Sequence, residues 1–451
     1  MRGFLASSIG VTCAAALTLP LTLPTAAHAA KPAAQESVPG ATQSLPLTPL
    51  AAPGTSTRSA APQRQQREQG LPRRDVHPFS LVGVVWDNPN AQLHGQVQVR
   101  TRATGTSTWS TWQDVETHSD DAPDPDTAEH TSRTVRGATA PLWVGDSDGV
   151  EVRVKADEPP AGARAADPSA EPLPKGLRLE LVDPGEEPAA GAEADSPRAT
   201  LSAETAAASA VNADLAPLGA SVIPALTKQE TEDEVIAARG GEADATKARP
   251  YVGPRPRIIT RKGWGADEKL RERQFGYTKT VKAAFVHHSA SGNNYRCSQA
   301  PSVIRSIYRY HVKSSGWRDI GYNFLVDKCG NIYEGRAGGV TKPVMGAHTL
   351  GFNTNSTGIA VLGTFGSSNP PAAAVNAIAR LTAWKLGLYG ANPRGSTYLK
   401  SGGGNLYKKG KNVRLKVISG HRDGFATECP GRRLYKKLGT ARSSSARLQG
   451  R

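Results

Sequence analysis

The stretch Ala283-Ala284-Phe285-Val286-His287-His288 decides how the second half of the chain is interpreted. A short apolar run of this kind is typical of a buried strand, and here it ends on two histidines. Leu415 to Ile418 repeats the pattern and leads into Gly420-His421, with Cys429 eight residues further on. Because strand ends project side chains towards one edge of a sheet, we expect these distant residues to converge.

The residue types at these strand ends suit a metal ion. Two imidazoles and one thiolate form a three-ligand zinc set that leaves the fourth tetrahedral position to water. Zinc bound in this way lowers the pKa of its water and polarises a carbonyl, which amide hydrolysis requires. His287, His421 and Cys429 are therefore the candidate ligands. Spacing alone leaves a second interpretation open, an inert Cys429 thiol and a surface His421, because no short motif such as H-E-x-x-H is present.

Strand and helix patterns alternate around these residues and predict an α/β fold. Ser302 to Lys313 and Ala372 to Leu388 carry apolar residues at helical spacing. Tyr322 to Asp327 and Ile332-Tyr333-Glu334 flank a Cys-Gly-Asn turn, which is typical of a hairpin. We expect a sheet packed by helices over residues 251–440.

The beginning of the chain resembles a secretion signal. An apolar, uncharged stretch from Phe4 to Leu23 precedes Ala27-His28-Ala29, with small residues where a signal peptidase reads. We expect residues 1–29 to be cleaved and the mature protein to be secreted. A retained membrane anchor is the alternative, which Pro20 and Pro24 disfavour, and no later run is apolar enough to span a bilayer.

The rest of the first half falls into segments of different composition. Residues 30–76, rich in Ala, Pro, Gln, Ser and Thr, are predicted to be a disordered leader. Residues 77–183 contain short alternating strands separated by turn residues and predict a small β-sandwich, with an acidic loop at Ser119 to Arg133. Residues 184–250 are predicted to be a linker and residues 441–451 a disordered tail.

Charge is distributed unevenly between the two halves. Residues 251–451 carry 34 Lys and Arg against 8 Asp and Glu, a net charge of +26, whereas residues 1–250 carry 21 against 32, a net charge of −11. A basic exported domain suggests an anionic partner, and wall polymers bearing phosphate and carboxylate fit that location. A nucleic-acid partner is disfavoured because the chain lacks a nucleic-acid motif and begins with an export signal.

Three cysteines remain after removal of the predicted signal peptide. In an oxidising compartment one disulfide uses two of them and leaves one. Cys297 precedes a predicted helix and Cys329 occupies a predicted turn, and both positions suit a bridge. This pairing leaves Cys429 available for a metal.

Four short motifs follow one another in the second half: Val286-His287-His288-Ser289-Ala290, Asp319-Ile320-Gly321-Tyr322-Asn323-Phe324, Ile332-Tyr333-Glu334-Gly335-Arg336, and Ser419-Gly420-His421-Arg422-Asp423 with Glu428-Cys429-Pro430-Gly431. In this order they resemble the peptidoglycan recognition protein family, which belongs to the type 2 N-acetylmuramoyl-L-alanine amidases. The resemblance covers about residues 255–440. It implies a mixed central sheet flanked by helices, with zinc at the floor of a wall-binding groove, and an enzyme, because members that keep all three ligands are hydrolases.

The resemblance also implies individual roles. His287, His421 and Cys429 would be the zinc ligands, and Tyr322 the catalytic tyrosine that donates to the developing oxyanion. Thr427 would be a second oxyanion contact. No Glu or Asp presents itself as the general base.

Further positions match the groove that binds the muropeptide. His288, Ser289, His311 and Arg336 would line it, and Gly316-Trp317 together with Arg336 resembles the version that favours diaminopimelate over lysine stems. Arg336 could form a bidentate pair with the extra carboxylate of diaminopimelate. We expect a monomer that associates with the cell wall.

Two other functions compete with the amidase: a module that only binds peptidoglycan, and a wall peptidase that cuts between stem residues. The N-terminal β domain resembles one that precedes such amidases in secreted actinobacterial proteins, and wall targeting is its working hypothesis. Its tryptophans would form either a sugar platform or part of the core: Trp86, Trp109, Trp112 and Trp143.

Overall fold

The computed structural model describes residues 40–50, 67–117, 121–158, 173–186, 201–240 and 249–451. The predicted signal peptide lies outside the described residues. In the part of the chain that is described, no helix is both long enough and apolar enough to cross a membrane.

The first part of the chain forms an antiparallel β domain, as predicted. Its eight strands belong to one sheet, in the order β1-β8-β3-β7-β4-β5 with β2 and β6 also paired to β3. Register shifts interrupt the pairing of the long strands β3 and β7, and such irregularities bend a strand. The strands are β1 (Thr42–Pro46), β2 (Thr48–Pro49), β3 (Glu68–Trp86), β4 (Gly95–Ala103), β5 (Gln113–Val115), β6 (Gly137–Ala138), β7 (Leu142–Ala156) and β8 (Arg178–Val182).

The predicted disordered leader is wrong for the residues that are described. β1, β2 and the first half of β3 lie within residues 30–76, and β1 pairs with β8 from Thr42 opposite Val182 to Pro46 opposite Arg178. The sequence of β1 is mostly polar and shows no apolar alternation. Its strand conformation depends on a tertiary partner, and local patterning does not reveal such a partner.

The predicted linker also contains regular structure. It holds α1 (Ala203–Ala210), β9 (Val222–Ile223) and α2 (Lys228–Ala238). Ile223 and Val235 are buried in the core of the second domain. The linker prediction is therefore wrong for residues 201–240, because the few apolar side chains of this Ala- and Glu-rich stretch dock onto a neighbouring core.

The second domain has the predicted α/β architecture. Its mixed sheet has the order β17-β11-β14-β12-β13-β10-β9, in which β11 runs parallel to β14 and β17 whereas β12 and β13 are antiparallel. The remaining elements are β10 (Ile258–Ile259), β11 (Ala283–His288), α3 (Ala300–Arg309), β12 (Phe324–Val326), β13 (Ile332–Glu334), β14 (Ser356–Val361), α4 (Ala372–Leu388), β15 (Ser396–Lys400), β16 (Asn412–Lys416), β17 (Ile418–Gly420), α5 (Arg432–Tyr435) and α6 (Leu438–Gln449).

Three features of this domain bear on the predictions. A π-helical turn, Tyr310–Ser314, continues α3 to the predicted end of that helix. The predicted strand Leu415 to Ile418 is divided, because β16 pairs with β15 in a separate ribbon and only β17 joins the main sheet. The predicted disulfide between Cys297 and Cys329 is confirmed.

The predicted disordered tail is instead part of α6. Ala441 and Ala446 are buried, and Ser445 accepts a hydrogen bond from Thr382 of α4 with an O–O distance of 3.1 Å. The serine-rich sequence of α6 shows little apolar periodicity, since small side chains let the two helices pack closely. For this reason composition alone suggested a disordered tail.

The two domains share a buried interface. Leu81 and Val85 of β3 pack with Ile304 and Ile307 of α3 in one apolar cluster. Tyr310 donates a hydrogen bond from its hydroxyl to the carbonyl of Thr139, at 3.1 Å. The acidic loop between β5 and β6 belongs to the first domain, and its Glu129 pairs with Arg336 of the second domain across this interface.

Candidate metal centre and groove

The three predicted metal ligands lie together at one edge of the central sheet. His287 is the next-to-last residue of β11, His421 directly follows β17, and Cys429 lies in the loop before α5. Parallel pairing of β11 with β17 brings the ends of these strands side by side. The candidate ligand atoms of the three buried residues lie within 4.8 Å of one another.

The geometry and ionisation of these side chains fit a zinc ion. Sγ of Cys429 lies 3.8 Å from Nδ1 of His287, and ligand atoms of a tetrahedral zinc are about 3.3–3.6 Å apart. Among the described residues, neither ring nitrogen of the buried His421 has a hydrogen-bond partner, which a metal would provide. Burial and the neighbouring His288 lower the pKa of His287 to about 3, and burial also lowers the pKa of His421, so both rings are neutral as ligation requires.

A second layer of side chains holds the His287 ring. Its Nε2 lies 3.3 Å from Nδ1 of His348 and 3.4 Å from the hydroxyl of Thr349. Such contacts orient a metal-binding imidazole and direct its other nitrogen to the metal. No sequence pattern indicates His348 and Thr349, because they lie in a loop outside the strands and helices.

Tyr322 lies beside the candidate metal ligands. Its ring centroid is 5.5 Å from that of His287, and its hydroxyl donates to Oδ2 of Asp121 at 2.5 Å. Burial, reinforced by the nearby Asp121, raises the pKa of Tyr322 well above its ordinary value, so the phenol keeps its proton. Thr427 is also buried close by, and its hydroxyl accepts a hydrogen bond from the backbone N–H of Cys429 at 3.2 Å.

The predicted groove residues surround this centre. His288 accepts from the N–H of Phe365 at 3.3 Å, and Ser289 accepts from the N–H of Gly363 at 3.0 Å. The Ser289 hydroxyl is therefore already hydrogen-bonded within the protein.

His311 and Trp317 form the aromatic part of the groove. Their rings lie 4.4 Å apart, and Nδ1 of His311 accepts from the N–H of Gly321 at 3.1 Å. Burial and the charge of Arg336 lower the pKa of His311 to about 3. Gly316 adopts a φ of 76°, and a Cβ there would lie 1.9 Å from the carbonyl oxygen of Thr134, so the position requires glycine.

Arg336 is buried and already has an anionic partner. Its two terminal nitrogens lie 2.9 and 2.8 Å from the two carboxylate oxygens of Glu129, and its Nε donates to the carbonyl of Ile320 at 2.9 Å. Burial alone would raise the pKa of Glu129, but the ion pair with Arg336 outweighs it and the pKa lies below its ordinary value. Glu129 belongs to the first domain.

The acidic loop contacts the candidate metal ligands, which no local sequence pattern predicts. Oδ1 of Asp121 lies 3.0 Å from Nδ1 of His287 and 3.4 Å from Nδ1 of His421. Burial raises the pKa of Asp121 to about 6. The signal that could have indicated the contact was complementary charge, since the loop is acidic and the second domain carries a net charge of +26.

Comparisons with known proteins give a matching family for each domain. Residues 277–432 match the family described as N-acetylmuramoyl-L-alanine amidase, and residues 29–175 match Rv3811 N-terminal galactose-binding domain-like. Peptidoglycan-recognition protein SC2 of Drosophila melanogaster is 30% identical over 41% of this chain and 85% of its own length. The N-acetylmuramoyl-L-alanine amidase of Homo sapiens is 30% identical over 44% of this chain and 31% of its own length.

A solved structure, peptidoglycan recognition protein-LE in complex with tracheal cytotoxin, is 32% identical, with a TM-score of 0.33, over 41% of this chain and 92% of that chain. The fold and the His/His/Cys group define the second domain as an amidase-type domain. The chain belongs to the peptidoglycan recognition protein family.

Proposed function

We propose that this chain is a secreted, zinc-dependent N-acetylmuramoyl-L-alanine amidase. It hydrolyses the amide between the lactyl group of muramic acid and the L-Ala of the peptidoglycan stem peptide. The observation that carries the proposal is the convergence of His287, His421 and Cys429 beside the protonated phenol of Tyr322. A site that only bound peptidoglycan would need neither a three-ligand metal set nor a proton donor next to it.

Each residue of the site has a separate role in the proposed reaction. Zinc held by His287, His421 and Cys429 would supply an activated water and polarise the scissile carbonyl. His348 and Thr349 keep the His287 ring in its ligating orientation. Tyr322 donates a hydrogen bond to the oxygen that becomes negatively charged, and its raised pKa suits it to donate rather than accept. Thr427 holds the Cys429 loop and adds a second hydroxyl near that oxygen.

Stem specificity rests on Arg336 in this proposal. The guanidinium is buried, and its two terminal nitrogens donate in parallel to the carboxylate of Glu129, a geometry that would also match a substrate carboxylate. Diaminopimelate carries one carboxylate more than lysine at the corresponding stem position. Arg336 therefore favours diaminopimelate stems, with Gly316 and Trp317 shaping the same part of the groove.

The N-terminal β domain is proposed to bring the enzyme to the wall, with anionic wall polymers as further partners of the basic second domain. Trp86 and Trp143 are buried, and Trp109 and Trp112 are each covered by guanidinium groups, with Arg153 4.2 Å from the Trp112 ring. These rings do not form an open sugar platform.

Wall targeting can be tested by sedimentation of residues 40–186 with sacculi, against a control without sacculi. Protein that stays in the supernatant would remove this role.

Product chemistry tests the proposed reaction. A purified muropeptide monomer should yield a stem peptide with a free L-Ala amino group and a sugar fragment with an intact lactyl carboxylate. A peptidase would instead leave L-Ala attached to muramic acid. Mass spectrometry of the two fragments separates these results in one experiment.

A further inference from the structure

The segment Glu116–Glu129, here called the acidic segment, is unusual in both charge and position. It contains six Asp and Glu residues and no Lys or Arg. It follows β5 of the β domain, and Asp121 in its described part contacts two of the three candidate metal ligands of the second domain. Residues 116–117 and 121–129 of it are described.

Asp121 contacts both histidines of the candidate metal site, although it lies outside the group of His287, His421 and Cys429, whose ligand atoms are within 4.8 Å of one another. Its Oδ1 is 3.0 and 3.4 Å from the Nδ1 atoms of His287 and His421, and neighbouring ligand atoms of a tetrahedral zinc are about 3.3 Å apart. Among the described residues, Oδ1 has no hydrogen-bond donor although it is buried. A buried carboxylate oxygen without a donor, close to two candidate metal ligands, is the arrangement expected of a group directed at a cation.

Other described residues of the acidic segment also contact the second domain. Glu129 forms a bidentate ion pair with Arg336, with N–O distances of 2.8 and 2.9 Å. The same geometry is proposed above for the stem carboxylate of the substrate. Glu116 lies 3.2 Å from Nε2 of His288. Asp124 is buried and accepts from the N–H of Gly351 at 2.8 Å and from the side chain of Asn353 at 2.7 Å.

We infer that the acidic segment is an intramolecular ligand of the substrate groove, in which Asp121 completes the metal coordination and Glu129 takes the place of the diaminopimelate carboxylate. This inference rests on the proposed function for the identity of the substrate it imitates. In the full chain the metal position that water and the scissile carbonyl need is closed. The enzyme is latent until peptidoglycan, or a cut in the segment, displaces these carboxylates.

The contacts suit a ligand that can be displaced. A buried cation such as Arg336 is costly without a partner, and exchanging Glu129 for a substrate carboxylate keeps it paired. The segment contains no helix or strand among its described residues, so its release would not require a sheet or helix to unfold. The β3–α3 interface holds the two domains together and keeps the segment near the groove after release.

The test uses the full chain and conservative variants. Asp121→Asn and Glu129→Gln keep side-chain size and remove the two charges that enter the groove. Asp126→Asn is the matched control, because Asp126 lies in the same segment but pairs with the exposed Lys409 outside the metal centre. Circular dichroism and thermal unfolding establish that each variant is folded.

The first readout concerns the metal and needs no turnover. In cobalt-substituted protein, loss of the Asp121 ligand should change the visible d–d spectrum. Zinc affinity in a chelator competition should fall by roughly 10-fold or more. Loss of a residue that only hydrogen-bonds to a metal ligand already lowers metal affinity by about this factor. Asp126→Asn should match the parent in both. If Asp121→Asn also matches the parent, Asp121 is not a ligand.

The second readout concerns the groove. Metal-free full chain, which cannot turn over, should bind a diaminopimelate-type muropeptide monomer at least 10-fold more tightly when it carries Asp121→Asn with Glu129→Gln. Hydrogen exchange of residues 121–129 in the parent should speed up on saturation with that muropeptide. Unchanged affinity together with unchanged exchange would overturn the inference.

Activity distinguishes this inference from the proposed function. If both hold, zinc-loaded Asp121→Asn with Glu129→Gln releases stem peptides faster than the parent. If only the proposed function holds, the parent is as fast as that variant. If Asp121→Asn releases stem peptides more slowly than the parent, Asp121 acts as a general base. That result would contradict the inference that Asp121 blocks the metal position. If the proposed function fails, no form releases stem peptides, and the metal and affinity readouts still report on the segment.

Discussion

Sγ of Cys429 lies 3.8 Å from Nδ1 of His287 across a sequence separation of 142 residues. The pairing of β11 with β17 produces this proximity, because it brings His287 and His421 to the same sheet edge and the following loop returns Cys429 to it. The disulfide joins Cys297 to Cys329, and Cys429 is not a member of the main apolar cluster of this domain. We therefore expect that a metal could be removed without unfolding the domain.

Cys429→Ala should abolish stoichiometric zinc binding and amidase activity while the protein stays folded. Two imidazoles alone form an incomplete zinc site, and the core and the disulfide do not depend on Cys429. Zinc content by atomic absorption, with circular dichroism as the fold control, checks this. Full activity in the variant would contradict the ligand assignment.

Tyr322→Phe should keep zinc and lower kcat by about 100- to 1000-fold, the cost of one oxyanion donor. The measurement is best made in the Asp121→Asn background, where loss of the Tyr322–Asp121 hydrogen bond cannot open the groove and mask the effect. Tyr333→Phe is the matched control, since the Tyr333 hydroxyl donates to Asp327 at 2.9 Å, away from the ligands. An unchanged kcat would remove Tyr322 from the mechanism.

Arg336→Ala should lower kcat/KM for diaminopimelate muropeptides by about 10- to 100-fold and have a smaller effect on lysine muropeptides, because only the former lose a charge-assisted pair. Glu129→Gln is a suitable background, as it avoids leaving a buried carboxylate unpaired. Parallel assays on the two muropeptides give the ratio. An equal loss of kcat/KM on both muropeptides would mean that Arg336 does not distinguish the two stem peptides.

Lys385 should make stability depend on pH. Burial lowers the pKa of this lysine from 10.5 to about 7. Between these pH values the unfolded chain binds more protons than the folded one, so the free energy of unfolding should rise with pH above 7, by up to a few kcal/mol. Below pH 7 the lysine is charged in both the folded and the unfolded state. There it adds nothing to the pH dependence of the free energy of unfolding.

Lys385→Met provides the comparison for that prediction. Urea unfolding between pH 7 and 9.5 should show a smaller rise in the variant than in the parent. Parallel curves for the two proteins would mean that Lys385 is charged in the folded state despite its burial.

The parts of the molecule that could be predicted are those with a strong local pattern. The apolar run ending at His287 and the helical spacing over Ala372–Leu388 depend on nearby residues, and the structure has both elements. The Cys297–Cys329 pairing followed from a small number of combinations. His287, His421 and Cys429 were recognised as a set because each ends or follows such an element.

The missed parts depend on contacts between segments that are distant in the sequence. β1 is a polar strand held by β8, and α6 is a serine-rich helix held by α4. The approach of Asp121 to the metal ligands depends on how two domains dock, and no local periodicity encodes that. Only the opposite charges of the acidic segment and the second domain pointed towards it.

Mass spectrometry of sacculi digested by the full chain tests the central claim most directly. The digest is run with the parent, with Asp121→Asn plus Glu129→Gln, and with Cys429→Ala, each with and without a chelator. We predict stem peptides beginning at L-Ala, absent with chelator or Cys429→Ala and restored by added zinc. Tight sedimentation with sacculi but no soluble stem peptide from any form would contradict the amidase and leave a protein that only binds peptidoglycan.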